Sequence, residues 1–123
     1  MSALDKAVAE LEEKRTRDDA ERRARQERAV AFLKAFFEAD LAPSRSLKES
    51  GVQAMFDGRR ILLQKPAEGV YAEAMMIVVG EQGEIDVSGR SLGLVDDGGT
   101  DVKKDMEAKK KELIAEIISH FSL

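Results

Sequence analysis

The segment 52–64, VQAMFDGRRILLQ, predicts a β-hairpin and with it an antiparallel sheet. Its centre, Asp57-Gly58, favours a type I′ turn, in which both central residues adopt a positive φ. With this pair as the loop, Phe56 lies opposite Arg59. One face of the hairpin then collects apolar residues: Val52, Ala54, Phe56, Ile61 and Leu63. The turn and the hydrophobic alternation therefore agree on which face is buried.

Two further strands follow the hairpin. Residues 65–69, KPAEG, break the chain before the apolar run 70–79, VYAEAMMIVV. Residues 80–83, GEQG, turn it into the segment 84–95, EIDVSGRSLGLV, which begins with alternating apolar and polar residues. Because the connections are short, consecutive strands pair antiparallel. We therefore predict a four-stranded antiparallel meander sheet.

A long helix precedes the sheet. From about residue 3 to residue 41 the chain contains neither Gly nor Pro, so we predict one continuous helix with Ser2 as its N-cap. The second half of this helix carries an apolar stripe: Ala29, Val30, Phe32, Leu33, Phe36, Phe37 and Leu41. Such a stripe is typical of a helix packed on a core. The connector 42–51 predicts one short helical turn ended by Gly51.

The segment 102–121 predicts a closing helix, with Thr100 or Asp101 as its cap. Its apolar residues recur at helical spacing, and we expect them to form a single buried stripe. They are Val102, Met106, Leu113, Ile114, Ile117, Ile118 and Phe121. The predicted fold is therefore α+β, in the order α-β-β-β-β-α, with the C-terminal amphipathic helix packed on the sheet and both helices on one sheet face.

Residues 12–28, EEKRTRDDAERRARQER, contain six acidic and seven basic residues and nothing apolar larger than alanine. Ion pairs four residues apart, such as Glu13–Arg17, stabilise a solvated helix of this kind. A helix over residues 3–41 is about 58 Å long at about 1.5 Å per residue, whereas a body of the remaining size is only about 30–35 Å across. We therefore expect a projecting charged helical arm (1–28) and an α+β globular domain (29–123).

The far end of this arm carries a short apolar stripe: Leu4, Ala7, Val8 and Leu11. An isolated chain would leave this stripe in water. We therefore predict that it contacts a second chain, either a copy of itself in a two-fold homodimer with antiparallel arms or another protein partner. A long parallel coiled coil is disfavoured because its seam would continue through charged residues: Arg15, Asp18, Arg22 and Arg25. The alternative is a frayed, solvated segment with accidental apolar residues.

Composition limits the function classes. The chain has no Cys, which excludes disulfides, thiolate metal sites and cysteine nucleophiles. It has neither an apolar run of about 18 residues nor the residue order of a secretory signal, so we expect no membrane contact and a cytoplasmic protein. The net charge of −4 lies entirely in residues 29–123. This acidic body argues against nucleic acid as the main partner, because phosphate binding needs a basic surface.

The sequence nominates no catalytic centre, metal or cofactor. His120, the single histidine, lies in the last turn of the predicted closing helix, where a cation is stabilised by the helix dipole. A catalytic histidine needs an orienting acid and a nucleophile, and no motif supplies them. The segment 96–101, DDGGTD, lacks the ligand order of a calcium-binding EF-hand and is better explained as a glycine turn before a helix cap.

Two main hypotheses for function follow. The first is a non-enzymatic protein-interaction or assembly module that dimerises, or docks on a partner, through the N-terminal arm. The second is a small-ligand or nucleotide-binding module using the exposed sheet face with Arg59, Arg60 and Arg90. An enzyme ranks third. Four methionines could line an adaptable groove or fill the core: Met55, Met75, Met76 and Met106.

Overall fold

The computed structural model describes residues 2–66, 73–95 and 102–123, with only the backbone for residues 102 and 103. Its helical elements are α1 (Ala3–Phe36), a π-helical turn (Phe37–Leu41), α2 (Arg45–Glu49) and α3 (Val102–Phe121). Its strands are β1 (Gln53–Asp57), β2 (Arg60–Lys65), β3 (Glu73–Val79), β4 (Glu84–Val87) and β5 (Arg90–Leu94). The α+β class is confirmed. The predicted cap at Thr100 or Asp101 and the segment 96–101 lie outside the described residues.

Within the described residues the sheet has five strands in the order β1-β2-β3-β4-β5, all neighbours antiparallel, so the predicted count of four was wrong. The segment 84–95 is not one strand but a hairpin that turns at Ser88-Gly89. These two residues have φ of 49° and 88°, and positive φ at both central positions is what a type I′ turn requires. The Ser-Gly pair is the signal that the sequence prediction overlooked.

The β1–β2 hairpin turns one residue later than predicted. Asp57 pairs with Arg60, so the loop is Gly58-Arg59 and not Asp57-Gly58. Gly58 has a φ of 63°, whereas Arg59 has no positive φ, and glycine at the first central position is characteristic of a type II′ turn. The pairing therefore shifts by two residues, which leaves every side chain on its predicted face. The face prediction is confirmed although the partners were wrong.

One face of the sheet and the two long helices enclose the core. Directly paired residues form apolar rows across this face, for example Phe56–Ile61–Ile77–Val87. The helices add the following buried residues: Ala29, Leu33 and Phe36 from α1, and Leu113, Ile117 and Phe121 from α3. The core is therefore a single layer of side chains between helices and sheet, as in other two-layer domains.

The single buried stripe predicted for α3 is only partly correct. Leu113, Ile117 and Phe121 are buried at spacings of four, whereas Ile114 and Ile118 are 37% and 46% exposed. Each exposed isoleucine follows a buried residue by one position, which places it about 100° around the helix. The two isoleucines therefore lie on the flank of α3 and not beneath it.

The predicted long helix changes geometry at its C-terminal end. It is α-helical to Phe36 and then widens to a π turn, in which the backbone N–H of Ala42 donates to the carbonyl of Phe37 at 2.8 Å. The short helix predicted in the connector is present as α2, capped by the Ser44 hydroxyl. The Asp40 carboxylate in the π turn lies 3.0 Å from the Lys110 ammonium of α3. This ion pair joins the two helical segments.

Candidate interaction surfaces

The first half of α1 stands clear of the body. Every residue from Ser2 to Glu21 is exposed, and the first half-buried residue is Arg22. Ser2 caps this end, because its hydroxyl accepts a hydrogen bond from the Asp5 backbone N–H at 3.1 Å. The exposed helical part, 3–21, is about 28 Å long. From here on, the arm means residues 3–21, whereas the sequence prediction used the word for residues 1–28.

The turn between β3 and β4 contacts α1 at Arg25 and Gln26, just beyond the arm, and we call this part of α1 the root of the arm. The Arg25 side chain donates to the Gln82 carbonyl and the Gln26 amide to the Gly80 carbonyl, each at 3.4 Å. A Cβ placed on Gly83 would lie only 3.0 Å from the Arg25 backbone, and Gly83 also has a φ of 84°. Glycine therefore allows the helix to approach the turn closely, and this contact sets the direction in which the arm leaves the body.

The tip of the arm carries the predicted apolar stripe on its exposed surface. Leu4, Val8 and Leu11 are 72%, 47% and 51% exposed, and Ala7 beside them is exposed as well. Large apolar side chains that share one helix face without cover indicate a surface that contacts something else. We use the name tip for these four residues.

The tip lies on the same side of α1 as the residues that pack on the sheet. Leu4, Val8 and Leu11 each precede one of the buried residues Ala29, Leu33 and Phe36 by 25 positions. Twenty-five residues make about seven helical turns, so each pair is aligned to within about 20°. The side of the helix that covers the sheet in the second half is thus apolar and uncovered at the tip.

A second apolar surface lies between the π turn, α2 and α3. It is a cleft of about 310 Å³ that we call the trough. Its apolar lining residues are Leu41, Leu47, Ile114, Ile117, Ile118 and Leu123. Beyond Asp40 it continues as a smaller cleft of about 210 Å³ between α1 and α3, beside Phe32 and Met106. The exposed isoleucines of α3 therefore border a concave apolar surface.

The open face of the sheet is a third candidate surface. Met55, Leu62 and Met76 are directly paired across three strands, and the two methionines are 52% and 37% exposed. Met75 is buried in the core and Met106 is half-buried, so the four predicted methionines divide between core and surface. This face is a short apolar row on a sheet, without the enclosing walls of the trough.

The structure does not bring the three predicted ligand-binding arginines together. Arg59 is exposed in the β1–β2 turn. Arg60 lies on the open face in the row with Val78, and its guanidinium is 3.4 Å from the Asp57 carboxylate. Arg90 pairs with Val87 on the helix side of the sheet and forms an ion pair with Glu116 of α3. Arg60 and Arg90 therefore point to opposite faces.

A buried lysine that the sequence did not single out fixes α3 to the sheet edge. The Lys109 ammonium donates to the Leu92 carbonyl of β5 and lies 3.1 Å from the Glu112 carboxylate. Its neighbour Gly93 has a φ of 86°. Because a buried ammonium must keep its hydrogen bonds, this contact holds the helix at one position along β5. Helical spacing alone could not distinguish Lys109 from the exposed lysines beside it.

The described residues contain no group of three or more His, Asp or Glu side chains placed to hold a metal ion. His120 is exposed and packs its ring edge-on against Phe121, with centroids 4.7 Å apart. In the part of the chain that the structure describes, no helix is long and apolar enough to cross a membrane. Comparisons with protein families, with curated proteins and with solved structures found no match to this chain.

Proposed function

We propose that this chain is a non-enzymatic interaction module that docks on a second protein chain through the tip of its helical arm. The observation that carries the proposal is the exposure of Leu4, Val8 and Leu11 on one face of an arm whose other residues are mostly charged. Burying each of these side chains would contribute about 1.5–3 kcal/mol. Leaving them in water gives a folded monomer no such gain.

The rest of the arm supports the same role. On the C-terminal side of the tip, the same helix face continues through Arg15 and Asp18. Both residues are charged and exposed, so they cannot form an apolar seam. The charged stretch therefore keeps the tip at a distance from the body. Its contacts at Gly83 fix the direction of the helix, so the tip is presented in a defined place.

The second function considered, a ligand site at Arg59, Arg60 and Arg90, has no observation in its favour, because two of these arginines lie on opposite sheet faces. The arginines on the arm alternate with acidic residues, so they do not form the basic surface that nucleic acid needs. Docking by the tip is therefore the function that the geometry supports best.

Light scattering tests the proposal. We expect the full chain, 13.6 kDa as a monomer, to associate into a larger species and the variant L4Q/V8Q/L11Q to be monomeric. Gln is a good helix former, so the substitutions keep the helix and remove only its apolar face. The matched control is M55Q/M76Q, which removes exposed apolar side chains from the open sheet face. If the unmodified chain associates and the tip variant forms the same larger species, the tip is not the docking surface.

A further inference from the structure

We infer that the second chain is a copy of this one, and that the tip of each copy docks in the trough of the other. The inference rests on the proposed function, because it names the partner and the acceptor surface of the same tip. The result is a two-fold dimer with antiparallel arms, in which each copy both inserts a tip and receives one.

The length of α1 favours this arrangement. Val8 lies 32 residues before Asp40, which borders both the trough and the smaller cleft. A helix of that length spans about 48 Å, so a chain cannot fold its own tip into its own trough. When two such helices run antiparallel and cross near Ala24, midway between these positions, each tip lies beside the trough of the partner.

The orientation of the tip agrees with this dimer. The tip faces the same way as the residues of α1 that pack on the sheet. A two-fold axis perpendicular to the layer of helices preserves that direction, so the tip of one copy lies in the helical layer of the other and faces the same way as its sheet-covering residues. The trough lies in this layer, whereas the open sheet face with Met55 and Met76 lies on the far side of the sheet.

The net charge of the tip region is opposite in sign to that of the part of α3 that precedes the trough, and Asp40, the charged residue in the trough lining, is paired with Lys110. Residues 3–14 carry four acidic and two basic residues, for a net charge of −2. Residues 104–112, the part of α3 that leads into the trough, carry four basic and three acidic residues, for a net charge of +1. Lys111 lies one helical turn before Ile114 at the edge of the trough and is exposed. Opposite charges around matching apolar centres favour correct alignment.

The contact area of the two arms approaches that of a standard stable interface. An arm about 28 Å long and about 10 Å wide covers roughly 300 Å² of whatever it lies on. Each copy gives one arm and receives another, which makes about 600 Å² per copy before the crossing of the two helices is counted. A standard stable interface needs about 800 Å² per partner. Contact at one tip only would fall well short of this area.

Disulfide trapping tests the inference directly, because the chain has no cysteine of its own. The full-length variant V8C/I118C is oxidised under mild conditions and its mass is measured under denaturing conditions. We expect a covalent dimer in most of the protein, since Val8 and Ile118 of one chain are too far apart to join within that chain. The single variant V8C is the control, and we expect it to stay mostly uncrosslinked.

Equilibrium sedimentation gives the second readout. We expect I114Q/I118Q to weaken dimerisation by about a hundredfold or more, because two-fold symmetry applies each change twice. We expect the control M55Q/M76Q to dimerise like the unmodified chain. Circular dichroism checks whether I114Q/I118Q is folded. The disulfide experiment does not depend on that variant, because it leaves Ile114 and its packing unchanged.

The outcomes separate this inference from the proposed function. Three results together would overturn the trough as acceptor. The dimer would be lost in L4Q/V8Q/L11Q and normal in I114Q/I118Q, and the disulfides in V8C/I118C would join only position 8 of one chain to position 8 of the other. The tip would still be the docking surface, meeting another tip. A normal dimer in the tip variant would overturn both proposals. Loss of the dimer in M55Q/M76Q alone would move the acceptor to the open sheet face and also overturn the trough.

Discussion

The two halves of α1 carry apolar residues on the same side of the helix, but only the second half packs that side on the sheet. In the second half, Ala29, Leu33 and Phe36 cover the sheet and are buried. In the first half, Leu4, Val8 and Leu11 repeat that spacing over open solvent. Apolar residues at helical spacing therefore identify a contact face in both halves. They do not reveal whether the contact is made within the chain or with a second one.

The largest expected difference between the halves is in folding stability. Leu33 is fully buried, so Leu33→Ala should lower the free energy of unfolding by about 2–5 kcal/mol. Leu11 is half exposed, so Leu11→Ala should change the unfolding of the monomer by no more than about 0.5 kcal/mol. Urea denaturation at low protein concentration measures both values. A loss above 1 kcal/mol in Leu11→Ala would show that the tip packs within its own chain.

Sequence patterns were sufficient to predict some features of this fold and not others. Alternation and helical spacing predicted the class, the buried sheet face and the exposed stripe at Leu4 to Leu11, because each depends on residues close together in the chain. The fifth strand was missed because Ser88-Gly89 was not recognised as a turn, although a Ser-Gly pair is a turn signal in a sequence. The β1–β2 loop was misplaced because Gly58 suits the first position of a type II′ turn as well as the second position of a type I′ turn.

The trough could not be predicted from the sequence. Ile114 and Ile118 belong to the apolar pattern of α3, and nothing local separates them from the buried residues beside them. Their exposure depends on where the π turn and α2 lie against α3. That position is set by contacts between distant residues, such as Asp40 with Lys110 and Lys109 with Leu92. The tip is a local feature of the sequence, whereas the proposed acceptor is a tertiary one.

Substitution in the β3–β4 turn, which contacts α1 where its two halves meet, should change the free energy of unfolding less than substitution in the core. Gly83 and Gly89 have nearly equal positive φ values, 84° and 88°, so alanine at either position costs about 1–2 kcal/mol for the backbone alone. Only at Gly83 does the new Cβ also meet the Arg25 backbone, whereas Gly89 has open space. We expect Gly83→Ala to lose about 1 kcal/mol more than Gly89→Ala in the free energy of unfolding.

Thermal and chemical unfolding of the two glycine variants measure this difference. Hydrogen exchange at residues 22–29 adds a local readout, because a displaced helix root should exchange faster in Gly83→Ala and not in Gly89→Ala. Equal losses and equal exchange would mean that the β3–β4 turn does not hold the arm. The direction of the arm would then depend on the buried residues of α1 alone.

The smallest expected effect concerns pH and the junction between the π turn and α3. The hydrogen bond to Asp40 and the attraction of its carboxylate hold the pKa of Lys110 above its ordinary value of 10.5. A lysine whose pKa is raised by folding adds stability below the unfolded pKa and loses it as the pH rises through the folded pKa. We therefore expect the stability difference between the unmodified chain and Lys110→Met to be constant from pH 7 to about pH 10 and to shrink above it.

Lys110→Arg is the matched control, since a guanidinium keeps its proton throughout this range. We expect the arginine variant to retain its stability difference from Lys110→Met up to about pH 12, and urea denaturation at each pH provides the measurement. A difference between the unmodified chain and Lys110→Met that stays constant through pH 12 would show that the Asp40 contact does not depend on the lysine charge. In that case the position of α3 beside α2, and with it the shape of the trough, would rest on apolar packing around Leu41 and Ile117.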